Sequence, residues 1–211
     1  DLEDVIRESR PHIAIQATCS TVEDAFGEIA TLLEHGVRVI SIAEQMAWPA
    51  AASADHADKL RQMAIDREAA VLGTGINPGF VMDLLVVALS GVCFDIQSIV
   101  VTRTNDLSPY GPSVLASQGV GLSPEAFQAG LESGSVVGHF GFAESIYMIA
   151  TTLGWDIDRI EESRIPILSG VARETPFVRV DAGMVAGCHH RAVAYRHDKP
   201  VITLDHPQQI H

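Results

Sequence analysis

Cysteine is scarce in this 211-residue chain: Cys19, Cys93 and Cys188 are odd in number and far apart. That excludes a disulfide framework and points to ordinary thiols of a reducing, cytoplasmic compartment. Lysine is scarcer still, with only Lys59 and Lys199 present. Against 27 Asp plus Glu there are 14 Lys plus Arg, a formal charge of -13. Such a field repels phosphate backbones, so no nucleic-acid partner is expected. No apolar run is long and uninterrupted enough to span a bilayer, and no signal peptide opens the chain, so no membrane partner is expected either. The spacings C-x-x-C, H-E-x-x-H and G-x-S-x-G are absent, which argues against metal and hydrolase chemistry. The hydrophobic fraction, 47%, excludes a disordered tail and supplies a core for one large domain or two small ones.

What is present reads first as alternating strands and helices. Residues 12–18 form a short apolar run suited to a buried parallel strand. Ser20 and Thr21 precede an acidic first turn, predicting a helix from Val22 to Glu34 that stops at Gly36. Strands follow at 37–42 and 70–75, with a helix over 53–68 between them. Asn77 as cap and Pro78 at the first helical position predict a helix whose body, Phe80 to Leu89, is apolar on almost every face and so buried. Beyond Gly91 the pattern changes to a half-covered strand over 96–103, a Gly, Pro and Ser-rich loop over 106–122, helices after Ser123 and over 144–153, and several later strands turning at 197–200. The expected fold class is α/β: the C-terminal half of a Rossmann-type doubly wound parallel sheet over residues 1–90, then an α+β domain with a mixed or antiparallel sheet over 91–211. No G-x-G-x-x-G opens the first strand-helix turn, as such a fold requires, so the chain reads as an internal fragment lacking about 60 residues of two strand-helix units.

Gly73-Thr74-Gly75-Ile76-Asn77-Pro78-Gly79-Phe80-Val81-Met82-Asp83 resembles the signature of the dihydrodipicolinate-reductase-like NAD(P)-dependent amine dehydrogenases, the family typified by 2,4-diaminopentanoate dehydrogenase. The segments Gly119–Glu125 and Gly138–Ser145 are similar to further family segments. The resemblance implies an NAD- or NADP-dependent oxidoreductase that interconverts a primary amine or diamino acid with its carbonyl compound and ammonia, acting as a homodimer. Reductases that make tetrahydrodipicolinate carry a His-rich motif and a later Lys…Ser-Gly-Thr-Ala segment, and neither occurs here. The departure favours the amine branch over the lysine-pathway reaction. A cyclic-imine reductase, or a nucleotide-sensing or oligomerisation module without turnover, is the alternative.

The site residues follow from the loops. In open α/β sheets ligands lie outside the carboxyl ends of the strands. Ala17 and Thr18, Ala43, and Asn77 and Gly79 stand at those ends, and small residues there would let a nicotinamide and its ribose approach the backbone. Thr18 and Asn77 add hydrogen-bonding groups. The plainer reading is that the glycines make turns and Asn77 caps a helix. Glu44 ends an apolar strand beside Met46 and Trp48, and apolar surroundings raise a carboxyl's pKa toward the range for proton exchange. The resemblance implies that this strand-end glutamate handles the amine and its protons; the competing reading is a solvated acid. Trp48, Phe80, Phe140 and His139 are the candidate substrate contacts, although aromatics are more often core. Glu144, in the first turn of a helix, reads as structural. Arg103 is a possible anion contact. Cys188-His189-His190 invites a metal reading, but adjacent strand residues face opposite sides.

Overall fold

The structure is a computed structural model and describes residues 1–211. In chain order it contains α1 (Leu2–Ser9), β1 (Ile13–Gln16), α2 (Val22–Glu34), β2 (Arg38–Ser41), a 3₁₀ turn (Glu44–Ala47), α3 (Pro49–Ala52), α4 (Ala54–Asp66), β3 (Val71–Gly73) and α5 (Leu84–Ser90). Then come β4 (Ile99–Thr102), β5 (Asn105–Asp106), α6 (Pro112–Ser117), α7 (Pro124–Ser133), α8 (Phe142–Thr152), β6 (Arg159–Leu168), β7 (Arg173–Glu174), β8 (Arg179–Val180), β9 (Val185–Arg196) and β10 (Lys199–Gln209). The chain divides into two compact units, Asp1–Phe94 with Gly141–Asp156, and Asp95–Phe140 with Ile157–His211. A single boundary at residue 90 therefore misses one feature: α8 returns to the first unit.

In the first unit β1, β2 and β3 form a parallel sheet in that order. α2 is capped by the Thr21 hydroxyl, which accepts from the Asp24 amide, and buries Val22, Ala25, Ile29, Leu32 and Leu33 at helical spacing. These pack with Val37, Val39, Met46 and Leu60, so one sheet face is core. The opposite face presents Ile13, Ile15 and Leu72 largely exposed. α5 departs from expectation. The chain turns through Gly79–Asp83 and the helix begins only at Leu84, because the Asp83 carboxylate, not Asn77, accepts from the Leu84 amide (2.6 Å). Nor is α5 enclosed: seven residues long and packed against α8, it leaves Leu84 and Leu89 exposed.

In the second unit the strands run in the order β4-β10-β9-β6, with β5 also beside β10. β4 and β5 are parallel to β10, and the remaining pairs are antiparallel, so the sheet is mixed. The β9–β10 hairpin turns at His197 and Asp198, both with positive φ. Its register shifts between Pro200 and Ile202, a bulge that sets every later pair. The Gly- and Pro-rich loop over 106–122 contains a helix after all, α6, started by Pro112 in its first turn and anchored by buried Leu115.

Gly73 marks the tightest backbone approach in the first unit. A Cβ there would lie 1.6 Å from the Met46 carbonyl oxygen, so β3 and the 3₁₀ turn meet only because the side chain is absent. Gly73→Ala is expected to destabilise by more than about 2 kcal/mol, since backbone must move to admit the methyl. Urea unfolding checks this, and a change below about 0.5 kcal/mol would contradict it.

Candidate functional site

Glu44 owes its position to three ties around it. The Ser41 hydroxyl, at the end of β2, donates to the Gln16 side-chain carbonyl and accepts from the Ala43 amide at 3.2 Å, locking the ends of β1 and β2 together. Gln45 donates its amide to the Ser20 carbonyl, and its side-chain oxygen accepts from the Val22 amide at 2.9 Å, which fastens the 3₁₀ turn to the start of α2. Met46 and Ala47 are buried. Glu44 is half-buried, and its carboxylate takes part in no hydrogen bond or ion pair. Its apolar enclosure is thus partial, less than the sequence implied.

The loop after β3 is held by a residue that the sequence reading did not single out. Asp83 is fully buried and accepts from the Gly79 amide (2.7 Å), the Leu84 amide (2.6 Å) and the Ser145 hydroxyl (2.8 Å). Ser145 belongs to α8, so one carboxylate joins loop, helix start and returning helix. Gly141, just ahead of α8, has φ 96°; a Cβ there would lie 2.3 Å from Pro78 Cγ and 3.5 Å from Glu44 Cβ. The 3₁₀ turn, the glycine loop and the start of α8 therefore converge at Glu44.

The other sequence candidates are distributed unevenly. Ala17 and Thr18 are exposed, but the Thr18 hydroxyl already donates to Glu28 and accepts from Gln16. Ala43 is fully buried, and Gly79 is buried with its amide committed to Asp83. Asn77 is half-buried, with its amide nitrogen 3.4 Å from Met82 Sδ. Phe80 is exposed. Trp48 lines a depression of about 600 Å³ with Met46, Leu60 and Ala64, whose lining does not include Glu44. Glu144 is buried in the first turn of α8. His139 and Phe140 belong to the second unit, where both are half-buried.

In that unit the sheet register brings Arg164, His190 and His206 side by side on β6, β9 and β10, with Arg103 at the end of β4 next to His206. His190 Nδ1 accepts from the His139 amide (2.9 Å), so its proton sits on Nε2, which donates to Glu162 (3.0 Å). His206 Nδ1 lies 2.6 Å from the Arg103 carbonyl, which only accepts. The His206 proton is therefore on Nδ1, and Nε2 accepts from the Arg103 guanidinium at 3.2 Å. Burial pushes His206 down to about 4 and lowers His190. Desolvation, with the neighbouring His206, His190 and Arg103, takes His139 well below the ordinary histidine value. The hydrogen bond from His190 lowers Glu162. His189 turns to the other face and meets Asp205 at 2.7 Å, so the adjacent histidines part as strand alternation requires.

Residues 80–211 match the model of the 2,4-diaminopentanoate dehydrogenase C-terminal domain. The chain belongs to the 2,4-diaminopentanoate dehydrogenase family. It is 42% identical over 210 residues to a 2,4-diaminopentanoate dehydrogenase of Acetoanaerobium sticklandii, an alignment covering 99% of this chain and 60% of that protein. The chain thus spans about three-fifths of the length of the curated relative it matches. Among solved structures, an amine dehydrogenase from Mycobacterium smegmatis superposes with a TM-score of 0.81 at 20% identity, over 100% of this chain and 62% of that one. The WlbA dehydrogenase from Bordetella pertussis, in complex with NADH and UDP-GlcNAcA, gives a TM-score of 0.51 at 9% identity, over 100% of this chain and 52% of that one. These likenesses show that the chain shares the fold of those two dehydrogenases over the part it covers.

Two outcomes are expected within the family frame. Asp83→Ala strands three donors and should cost about 3 kcal/mol, against about 1 kcal/mol for Ser145→Ala, both read by urea unfolding; equal costs would contradict the clamp. For His206, the unfolded chain binds its proton near 6.5 and the folded one only near 4. Its contribution to stability is therefore complete above pH 6.5 and is lost as pH falls toward 4, up to about 3 kcal/mol. An imidazole NMR titration should place the His206 midpoint near 4; a midpoint above 6 would contradict the buried neutral ring.

Proposed function

We propose that the protein is an NAD(P)-dependent amine dehydrogenase that interconverts a diamino acid of the 2,4-diaminopentanoate type with its carbonyl compound and ammonia. The observation that carries this reading is the uncommitted, half-buried Glu44 carboxylate beside the glycine loop and the start of α8. Membership of the family and the 42% identity to a 2,4-diaminopentanoate dehydrogenase support the substrate class. The open carboxyl end of the parallel sheet fits a flat dinucleotide: exposed Ala17 and Thr18, half-buried Asn77 and side-chain-free Gly75 are the residues that would hold NAD or NADP. Buried Ala43 and Gly79 shape the floor instead of offering contacts. Phe80, Phe140 and His139 are proposed to bound the substrate, and Trp48 to support the turn that carries Glu44.

The chemistry that the dinucleotide supplies is acceptance of hydride from the carbon bearing the amine. Glu44 acts before and after that event. It takes a proton from the substrate ammonium, freeing the nitrogen lone pair that must push as the carbon–hydrogen bond breaks. After releasing that proton to solvent, it removes a proton from the water that adds to the imine carbon and passes it to the nitrogen, which leaves as ammonia. Overall, ammonium-form amine, NAD(P)⁺ and water give ketone, ammonium, NAD(P)H and one proton. We place the enzyme in the cytoplasm, as its free cysteines suit, without nucleic-acid or membrane partners. A homodimer is proposed through the outward face of the second unit's sheet, where Val100 and Ile165 are exposed.

Glu44→Gln keeps the shape and removes the base. Oxidation of 2,4-diaminopentanoate by the complete protein should fall about 10²- to 10⁴-fold, while dinucleotide affinity changes less than about threefold. Retention of more than about a tenth of the rate would overturn the assignment of Glu44.

A further inference from the structure

A serine or threonine inside a helix ordinarily turns its hydroxyl back onto a carbonyl three or four residues earlier. Ser9, Thr31, Ser90, Ser117 and Thr152 all do so, onto Val5, Gly27, Val87, Val114 and Met148. Ser145 does not. Fully buried in α8, it uses only its amide on the Gly141 carbonyl one turn back, at 3.2 Å. Its hydroxyl leaves the helix and donates to Asp83 Oδ2 at 2.8 Å. The helix has apolar anchorage without that bond, since Phe142, Ile146 and Ile149 are buried. What the bond adds is direction: it fixes how far along and around its axis α8 sits.

The same Asp83 oxygen also takes the Gly79 amide, at 2.7 Å. Gly79 follows Pro78, and the Pro78 ring packs so closely on Gly141 that a side chain there would not fit. Ser145, Asp83, Gly79, Pro78 and Gly141 therefore close a ring of contacts inside one compact unit. Glu44 stands at the edge of that ring, its Cβ 3.5 Å from where a Gly141 Cβ would be. The Glu44 carboxylate takes part in no hydrogen bond, so its direction is set by what packs at its stem. That wall is the start of α8, one helical turn from Ser145.

We infer that Ser145 is a positioning residue for Glu44: its hydroxyl, held by Asp83, sets the wall that aims the carboxylate. The inference rests on the amine-dehydrogenase reading above, in which Glu44 is the base, and adds to it the group that directs that base. Proton transfer requires the base within hydrogen-bond reach, and a misplacement of about 1 Å can cost roughly 10²-fold in rate. Losing one tie from a helix that stays packed is a smaller disturbance.

A double-mutant cycle in the complete protein tests this. Ser145→Ala should lower kcat for 2,4-diaminopentanoate about 10-fold, with KM and dinucleotide Kd changed less than about threefold. In a Glu44→Gln background no base is left to aim, and Ser145→Ala should lower the rate less than about twofold further. A tenfold loss that persists in that background shows a hydroxyl acting on the fold and not through Glu44. That result, or a Ser145→Ala protein with the parent kcat, overturns the inference and leaves the functional reading standing. If Glu44→Gln by itself keeps the parent rate, the functional reading fails and takes the inference with it.

Discussion

The Asp83 carboxylate gathers three donors from separate stretches of chain, the amides of Gly79 and Leu84 and the hydroxyl of Ser145, and has no exposed surface of its own. A buried acid is tolerated only when such bonds replace its hydration, and charge-assisted bonds to an ionised group are the strong ones. Because the donors come from both sides of the glycine loop and from α8, the loop cannot relax independently of the helix. Everything near Glu44 inherits this constraint: Gly141 enters beside Pro78, and the turn carrying Glu44 lies against β3 at Gly73. The site is thus rigid where backbone meets backbone and open at the Glu44 carboxylate.

The second unit solves a different problem by a related device. Four basic side chains lie in one row across its sheet, an arrangement that would repel itself if all were charged. The two central ones are imidazoles whose protons are assigned by a backbone amide and a backbone carbonyl, so both stay neutral. Glu162 is shared between Arg164 and His190, and the opposite end of the row is left positive. Charge is retained at Arg103 and removed everywhere between.

Much of the fold was legible from periodicity. The α2 helix occupies Val22–Glu34 as its cap and spacing require, and the three short apolar runs became the parallel sheet. Glu44, expected at the end of an apolar strand, instead opens the 3₁₀ turn, with Ile42 and Ala43 between it and the end of β2. Less legible was anything depending on distant partners: Asp83 and Ser145 are 62 positions apart, and nothing local distinguishes Asp83 from an ordinary cap except the late start of α5. The imidazole row was hidden by one residue. A two-residue turn at His197 and Asp198 pairs Arg196 with Lys199, a register that continued would set His190 against Asp205. The bulge before Ile202 shifts the pairing by one and exchanges the faces, so His190 meets His206. Strand counting alone cannot see a bulge.

The central claim is that Glu44 is the group that handles the substrate nitrogen. The most direct measurement is a crystal structure of the complete protein with NAD(P)⁺ and a slowly reacting diamino acid. A Glu44 carboxylate oxygen within about 3.2 Å of the amine nitrogen, on the side of the glycine loop, is the expected result. A substrate amine held by other groups, with Glu44 turned to bulk water, would contradict it.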